Sequence, residues 1–94
     1  MKADVAWFRD RFIRLIGDGY KFEYTFFKDG DFGDLDRVEF EGNEKGGNVD
    51  FWSSGWLNIH LVDYKNEGEL LNVLLEPHQE KEQEQAFEKL QSLL

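Results

Sequence analysis

The feature that most constrains the fold of this chain is a pair of strand-like segments with large apolar side chains on both faces. Residues 56–64 alternate two sets of side chains: Leu57, Ile59 and Leu61 against Trp56, His60, Val62 and Tyr64. Residues 70–75 repeat the pattern with Leu71, Val73 and Leu75 against Leu70 and Leu74. Because successive side chains of a strand point to opposite faces, each segment must be covered on both faces or keep one face for a partner.

Helical periodicity is confined to the two ends of the chain. Residues 4–16 carry apolar side chains at helical spacing, with Asp4 as the N-cap and Gly17 and Gly19 near the C-terminal end. We predict a second helix from Pro77 to the C-terminus, with an apolar face formed by Ala86, Phe87, Leu90, Leu93 and Leu94. Residues 78–85 contain no apolar side chain, so the first turns of this helix are expected to project from the core.

Five strand-like segments lie between the helices, at about residues 20–27, 37–41, 49–53, 56–64 and 69–76, and short glycine-containing stretches separate them. Short connections favour antiparallel neighbours, because parallel strands need long crossovers. We therefore predict a single α+β domain over residues 1–94. It consists of a five-stranded antiparallel meander sheet flanked by N- and C-terminal helices, in the order α-β-β-β-β-β-α.

The side chains opposite the aliphatic set form the first candidate site, a predicted aromatic sheet face. Its members are Trp52, Trp56, His60, Val62 and Tyr64, extended by Leu70 and Leu74. Two arrangements of the helices remain open: they cover opposite faces of the sheet, or both pack on one face. The second arrangement would leave the aromatic set for a second copy or another protein, and Trp and Tyr are enriched at such interfaces.

Acidic side chains form the second candidate site. Residues 29–50 hold eight acidic and two basic side chains, which amounts to two thirds of the net charge of −9. The predicted acidic edge consists of Asp29, Asp31, Asp34, Asp36, Glu39 and Glu41. The run departs from the calcium-binding EF-hand spacing, because Phe40 stands where the bidentate glutamate belongs. We predict no metal site and no cofactor, and we expect the edge to attract a basic partner.

Composition limits the class of partner and the compartment. The net charge of −9 argues against nucleic acid and anionic membranes as partners, since both need a positive surface. The chain has no cysteine, which fits a reducing compartment. Its apolar runs fall far short of the roughly 18 residues of a membrane span, and its first residues lack the apolar core of a secretory signal. We therefore expect a cytoplasmic protein.

Signs of catalysis are few. The chain has two histidines, and it contains neither the HExxH pattern of zinc proteases nor a glycine-rich phosphate loop. Ser53-Ser54-Gly55 lacks the Gly-x-Ser-x-Gly pattern of a nucleophile elbow. We predict that the protein is not an enzyme. A catalytic site, if present, would centre on His60, Glu39 and Asp50.

These observations favour a binding function. We expect a small acidic protein-binding module that forms a homodimer or binds a basic protein through the aromatic face and the acidic edge. Its composition is shared with immunity proteins and antitoxins that inhibit basic nucleases, although composition alone does not fix function. The alternative is a small-molecule-binding protein or enzyme with a pocket between sheet and helices, lined by Phe22, Tyr24, Phe26 and His60.

Overall fold

A five-stranded antiparallel sheet with helices at both ends of the chain forms the structure, a computed structural model that describes residues 3–16 and 18–94. The strands are β1 (Lys21–Gly30), β2 (Gly33–Gly42), β3 (Lys45–Trp52), β4 (Leu57–Asp63) and β5 (Gly68–Leu75). Each strand pairs with the next along the chain, in the order β1-β2-β3-β4-β5. The predicted α+β meander is therefore confirmed.

The N-terminal segment is two short helices instead of the single helix predicted over residues 4–16. Helix α1 (Val5–Asp10) is capped by Asp4, whose side chain accepts a hydrogen bond from the Trp7 N–H at 2.8 Å. A 3-10 helix (Phe12–Leu15) follows, and the helical dihedral angles are interrupted at Arg11. Phe8 and Phe12 remain buried and their rings stack at 5.1 Å, so the break keeps both rings in the core. Gly17, which we predicted near the C-terminal end of this helix, lies outside the described residues.

The connections on either side of β2 are shorter than the sequence suggested. We predicted strands at about residues 20–27, 37–41 and 49–53, whereas each connection is a two-residue turn and the strands extend well into the stretches between those segments. Asn43 and Glu44 both have positive φ, at 50° and 62°. Two-residue turns of this geometry match the twist of the paired strands, so β2 and β3 stay paired up to the turn itself.

Both helices pack on the same face of the sheet, which decides between the two arrangements left open by the sequence. The buried cluster joins Phe8 and Phe12 with Phe87 and Leu90 of the C-terminal helix, and with apolar side chains of the strands. This helix-side face carries, on successive strands, Phe22, Tyr24, Phe26, Asp36, Val38, Phe40, Val49, Phe51, Leu57, Ile59, Leu61, Leu71, Val73 and Leu75. The other face of the sheet carries no helix among the described residues.

The C-terminal helix α2 (Glu80–Leu93) begins three residues after the predicted start at Pro77. Its buried residues include Gln83, whose Nε2 donates hydrogen bonds to the carbonyl oxygens of Gly55 at 3.1 Å and Glu76 at 3.0 Å. The amide thus fixes the first turns of α2 against two loops, and the prediction that they project from the core is wrong. None of the helices within residues 3–16 and 18–94 is long and apolar enough to cross a membrane.

A bulge between β4 and β5 changes the predicted position of Leu70. Leu61 pairs with Leu71, but the next residue, Val62, pairs with Glu69, so the extra residue Leu70 lies in the bulge. Leu70 packs against the buried cluster, whereas we predicted it on the opposite face. A one-residue irregularity of this kind reverses the alternation on which the prediction rested.

Candidate functional site

The face of the sheet opposite the helices is the candidate site, and we call it the open face. Strand pairing places the following side chains on it: Lys21, Glu23, Thr25, Phe27, Leu35, Arg37, Glu39, Glu41, Asn48, Asp50, Trp52, Asn58, His60, Val62, Asn72 and Leu74. Apolar and charged side chains are sorted along the strands. The apolar ones gather near the β1–β2 turn, and the acidic ones gather near the other end of β2.

The apolar part is an aromatic end composed of Phe27, Phe32, Leu35, Trp52 and Trp56. Phe32 stacks on Trp56 with ring centroids 4.2 Å apart and meets Trp52 edge-on at 5.2 Å. Leu35 pairs with Trp52 across the strands and is buried, although it stands outside the main core cluster. These contacts form a second, smaller apolar cluster on the open face.

Two serines position Phe32 within the aromatic end. The Ser53 Oγ accepts a hydrogen bond from the Asp34 N–H at 2.9 Å, and the Ser53 N–H donates to the Asp34 carbonyl at 2.7 Å. The Ser54 hydroxyl donates to the carbonyl oxygen of Phe32. The β1–β2 turn is thereby tied to the β3–β4 turn, which holds the Phe32 ring against both tryptophans.

An ion pair occupies the middle of the open face. Arg37 and Asp50 are direct cross-strand partners, with Nε–Oδ1 and Nη2–Oδ2 distances of 2.7 and 3.1 Å. Asp50 is only 3% exposed, and its hydrogen bond is the main cause that raises the pKa of Arg37 above its ordinary value. The guanidinium carbon also lies 5.5 Å from the centre of the Phe27 ring. The pair therefore links the aromatic end to the acidic part of the face.

The acidic part is a shallow groove with a volume of about 760 Å³, which we call the acidic groove. Side chains that line it include Lys21, Glu23, Glu39, Glu41, Asn48 and Tyr64. Glu23 and Glu39 are direct cross-strand partners, and like charges in that relation destabilise a sheet. Lys21 pairs with Glu41 in the same groove. Arg37 also lines the groove, but its charge is balanced by Asp50, so three carboxylates against Lys21 leave the groove with a net negative charge.

Tyr64 forms one wall of the acidic groove from the residue that follows β4. Its N–H donates to the Glu44 carbonyl at 2.8 Å, and its hydroxyl lies directly over Gly46. A Cβ atom at position 46 would overlap the phenol oxygen and ring, so only glycine permits this placement. The ring is 51% exposed and remains accessible to a partner.

The five residues of the predicted aromatic face are distributed along the open face instead of forming one patch. Trp52 and Trp56 belong to the aromatic end, whereas Val62 and Tyr64 line the acidic groove. His60 lies between them, opposite Asn48 and Asn72, and its Nε2 is 3.1 Å from Glu69 Oε2.

The six residues of the predicted acidic edge are separated into three locations. Asp29, Asp31 and Asp34 lie at or beside the β1–β2 turn, where the Asp34 carboxylate accepts a hydrogen bond from the Asp29 N–H at 3.0 Å. Asp36 is on the helix-side face, opposite Phe26 and Phe51. Glu39 and Glu41 line the acidic groove. Strand β2, which carries Asp34, Asp36, Glu39 and Glu41, is flanked by β1 and β3 and is therefore an interior strand.

The residues considered for catalysis have other partners. Asp50 is bound by Arg37, and His60 contacts Glu69. Glu39 and His60 both flank Asn48 across the strands, so their backbones are two strand spacings apart, or about 10 Å. Within residues 3–16 and 18–94, no group of three His, Asp or Glu side chains is arranged to hold a metal ion.

The four residues predicted to line an internal pocket do not lie together. Phe22, Tyr24 and Phe26 are on the helix-side face, whereas His60 is on the open face. The space between helices and sheet is filled by aromatic contacts, including those of Phe51 with Phe8 and Phe87 at 6.0 Å. A cleft of about 430 Å³ instead lies at the end of the sheet, beside the starts of α1 and α2.

Reasoning from the sequence did not identify three contributors to the open face: Glu23, Arg37 and Phe32. Glu23 alternates with aromatic residues in β1, and Phe32 lies in an acidic turn, so neither stands out until the strand register is known. No protein-family model matches this chain, and comparison with curated proteins and with solved structures finds no significant match.

Proposed function

We propose that this protein is a binding module that docks a basic protein onto the open face of its sheet. The acidic groove supplies charge to attract and orient the partner, and the aromatic end supplies apolar contact area. The observation that carries the proposal is the cross-strand pairing of Glu23 with Glu39, beside Glu41 in the same groove. An arginine or lysine of a partner would relieve the repulsion that the free protein retains.

The overall charge supports the same partner. With a net charge of −9, long-range attraction accelerates encounter with a positive protein and disfavours anionic competitors. Affinity would come mainly from Trp52, Trp56 and Tyr64, because aromatic side chains dominate the energetics of interfaces. The acidic residues near the β1–β2 turn would steer the partner toward the aromatic end.

The module is proposed to act without catalysis and in the cytoplasm, where a cysteine-free chain suits the reducing conditions. Inhibition of a basic enzyme, in the manner of immunity proteins and antitoxins, is one form that this function takes. In that form the acidic groove would accept a cationic segment of the enzyme and block its access to an anionic substrate.

The experiment that tests the proposal is titration of the isotope-labelled protein with a hexa-arginine peptide, followed by the NMR shifts of backbone amides. We expect the largest shifts at Glu23, Glu39, Glu41 and Asn48, and none with a hexa-glutamate peptide. Glu39→Gln should weaken binding by about twofold to fivefold, because one charge contact contributes at most about 1 kcal/mol when exposed. Raising the salt concentration should reduce the difference in peptide affinity between the parent protein and Glu39→Gln.

The matched control is Glu82→Gln, which removes the same charge from the exposed surface of α2. We expect this variant to bind the peptide almost as tightly as the parent protein. Equal losses for Glu39→Gln and Glu82→Gln would mean that only net charge attracts the peptide. Shifts centred on α2 would place the basic partner elsewhere and contradict the proposal.

A further inference from the structure

The outer edge of β1 is unpaired and carries exposed aromatic side chains. β1 is the first strand in the sheet order, and no described residue forms a strand beyond it. Tyr24, Phe26 and Phe27 are 42%, 58% and 42% exposed, respectively. Free backbone donors and acceptors beside apolar side chains are the combination that accepts another strand.

β1 has few of the features that usually protect an edge strand, since its regular part, residues 22–27, carries a single charged side chain, Glu23. It contains no proline, and its irregularity lies between Phe27 and Gly30, so residues 22–27 pair regularly with β2. The opposite edge strand, β5, is interrupted near its start by the bulge at Leu70 and ends just before Pro77. The two edges therefore differ, and β1 offers the longer regular template for pairing.

We propose that a second copy of this chain pairs with β1 edge to edge, antiparallel, about a two-fold axis that passes beside Thr25. The five strands of each copy would then form one continuous sheet. Because the axis is perpendicular to the sheet, both open faces lie on the same side. The contact is made through the backbone edge of β1, whereas a basic partner would dock on the open face, although Lys21 and Glu23 lie beside both surfaces. This inference goes beyond the binding of a basic protein and does not require it.

The side chains of β1 complement themselves about Thr25. In this register Tyr24 of each copy lies opposite Phe26 of the other, which brings the exposed rings on the helix-side face together in two pairs. Phe27 lies beside Glu23 of the second copy on the open face.

Neighbouring registers are less favourable. In the joined sheet, paired residues must lie on the same face, so odd-numbered residues of β1 pair with odd-numbered ones and even with even. The nearest alternative registers are therefore centred on Tyr24 or Phe26. Centring on Phe26 would pair Phe26 with its own copy and leave Tyr24 with no ring opposite it. Centring on Tyr24 would place Lys21 opposite Phe27 and would pair the exposed Phe26 with Phe22, which packs against the core. A two-fold symmetric pair is also the commonest form of self-association.

The first test is the mass of the full chain in solution, measured by light scattering over a concentration series. We expect a concentration-dependent dimer that Phe26→Lys weakens at least about tenfold. The matched control is Leu74→Lys on β5, since Leu74 is 51% exposed and also lies on an edge strand. A chain that is monomeric at every concentration, or equal losses for both variants, would overturn the proposal.

A cysteine variant tests the register without relying on the stability of Phe26→Lys. The chain has no cysteine, so a single Thr25→Cys substitution should form a disulfide between copies under mild oxidation, because directly opposed positions are close enough. Asn72→Cys, on the other edge strand, should react much more slowly. Faster crosslinking by Tyr24→Cys than by Thr25→Cys, or equal rates for positions 25 and 72, would contradict the pairing about Thr25.

Discussion

The two faces of the sheet are built from the same five strands, yet they differ in burial and in charge. At their centres, Val38 and Val49 on the helix-side face are fully buried, whereas their sequence neighbours Arg37 and Asp50 form an ion pair on the open face. Helices exclude water from the centre of the first face, so apolar burial there stabilises the fold. The open face needs only local pairs and a small aromatic cluster, which leaves its remaining charges available for a partner.

The largest expected effect compares phenylalanines on the two faces. Phe51 is buried on the helix-side face between Phe8 and Phe87, whereas Phe27 is 42% exposed on the open face. We expect Phe51→Ala to lower the free energy of unfolding by about 3–5 kcal/mol, because it leaves a cavity in the core. Phe27→Ala should cost less than about 1.5 kcal/mol. Urea denaturation of both variants measures the difference, and equal costs would refute the distinction between the faces.

The next effect concerns the ion pair that the open face buries. Arg37→Ala should lower the free energy of unfolding by about 2–3 kcal/mol, because it leaves the Asp50 carboxylate buried without its cation. Arg9→Ala breaks an exposed pair with Asp10 and should cost at most about 0.5 kcal/mol.

Replacing both members of the buried pair, Arg37→Met with Asp50→Leu, should restore much of the loss, since no uncompensated charge remains. Thermal unfolding of the three variants gives the comparison. A double variant less stable than Arg37→Ala would contradict this expectation. It would mean that the ion pair itself stabilises the folded protein, beyond the cost of leaving Asp50 unpaired.

A smaller effect is expected at the aromatic end. Trp56→Ala removes the stacking on Phe32 and should cost about 1–2 kcal/mol, while the protein remains folded because Trp56 lies outside the main core. The variant should also bind a protein partner more weakly. The change in unfolding free energy is measured by urea denaturation. A loss above about 4 kcal/mol would show that the aromatic end is part of the core and that the two faces are less distinct than described.

The sequence predicted the elements well because alternation and turn residues are local properties. It left the covered face undecided, because periodicity identifies an apolar strand face but not the layer that packs on it. The two-residue turn at Asn43-Glu44 sets the pairing of Arg37 with Asp50, so underestimating the length of the hairpin hid this ion pair. The register of the strands, more than the residue types, therefore separates the predicted site from the observed one.

Two other differences have local causes. Gln83 occupies the position on α2 that precedes Ala86, Phe87 and Leu90 at spacings of three, four and seven, so the helical pattern marks it as inward-facing despite its polarity. Its amide is satisfied by carbonyl groups of two loops, which no pattern along the helix reveals. Leu70 was misplaced by a bulge, and bulges leave no reliable trace in the alternation of apolar residues.

The smallest expected effect concerns Asp63, the charged residue at the end of β4 on the helix-side face. Asp63 follows Leu57, Ile59 and Leu61 along β4, and its pKa is lowered mainly by a hydrogen bond from the Asn66 side chain at 2.9 Å. Asn66→Ala should therefore raise the pKa of Asp63 toward its ordinary value. An NMR titration of the Asp63 carboxyl carbon measures the change, and Asn72→Ala on β5 should leave it unaltered.

The sign of the pH dependence follows from the direction of this shift. Because the folded state binds the proton of Asp63 less tightly than the unfolded state, its contribution to stability is present above the ordinary aspartate pKa. That contribution is lost as the pH falls through the lowered pKa of the folded protein. Asn66→Ala should make this loss of unfolding free energy at acid pH smaller. The differences in unfolding free energy between variants of the two faces at neutral pH should not change. An unchanged pKa for Asp63 would mean that the turn, and not the Asn66 amide, stabilises the carboxylate.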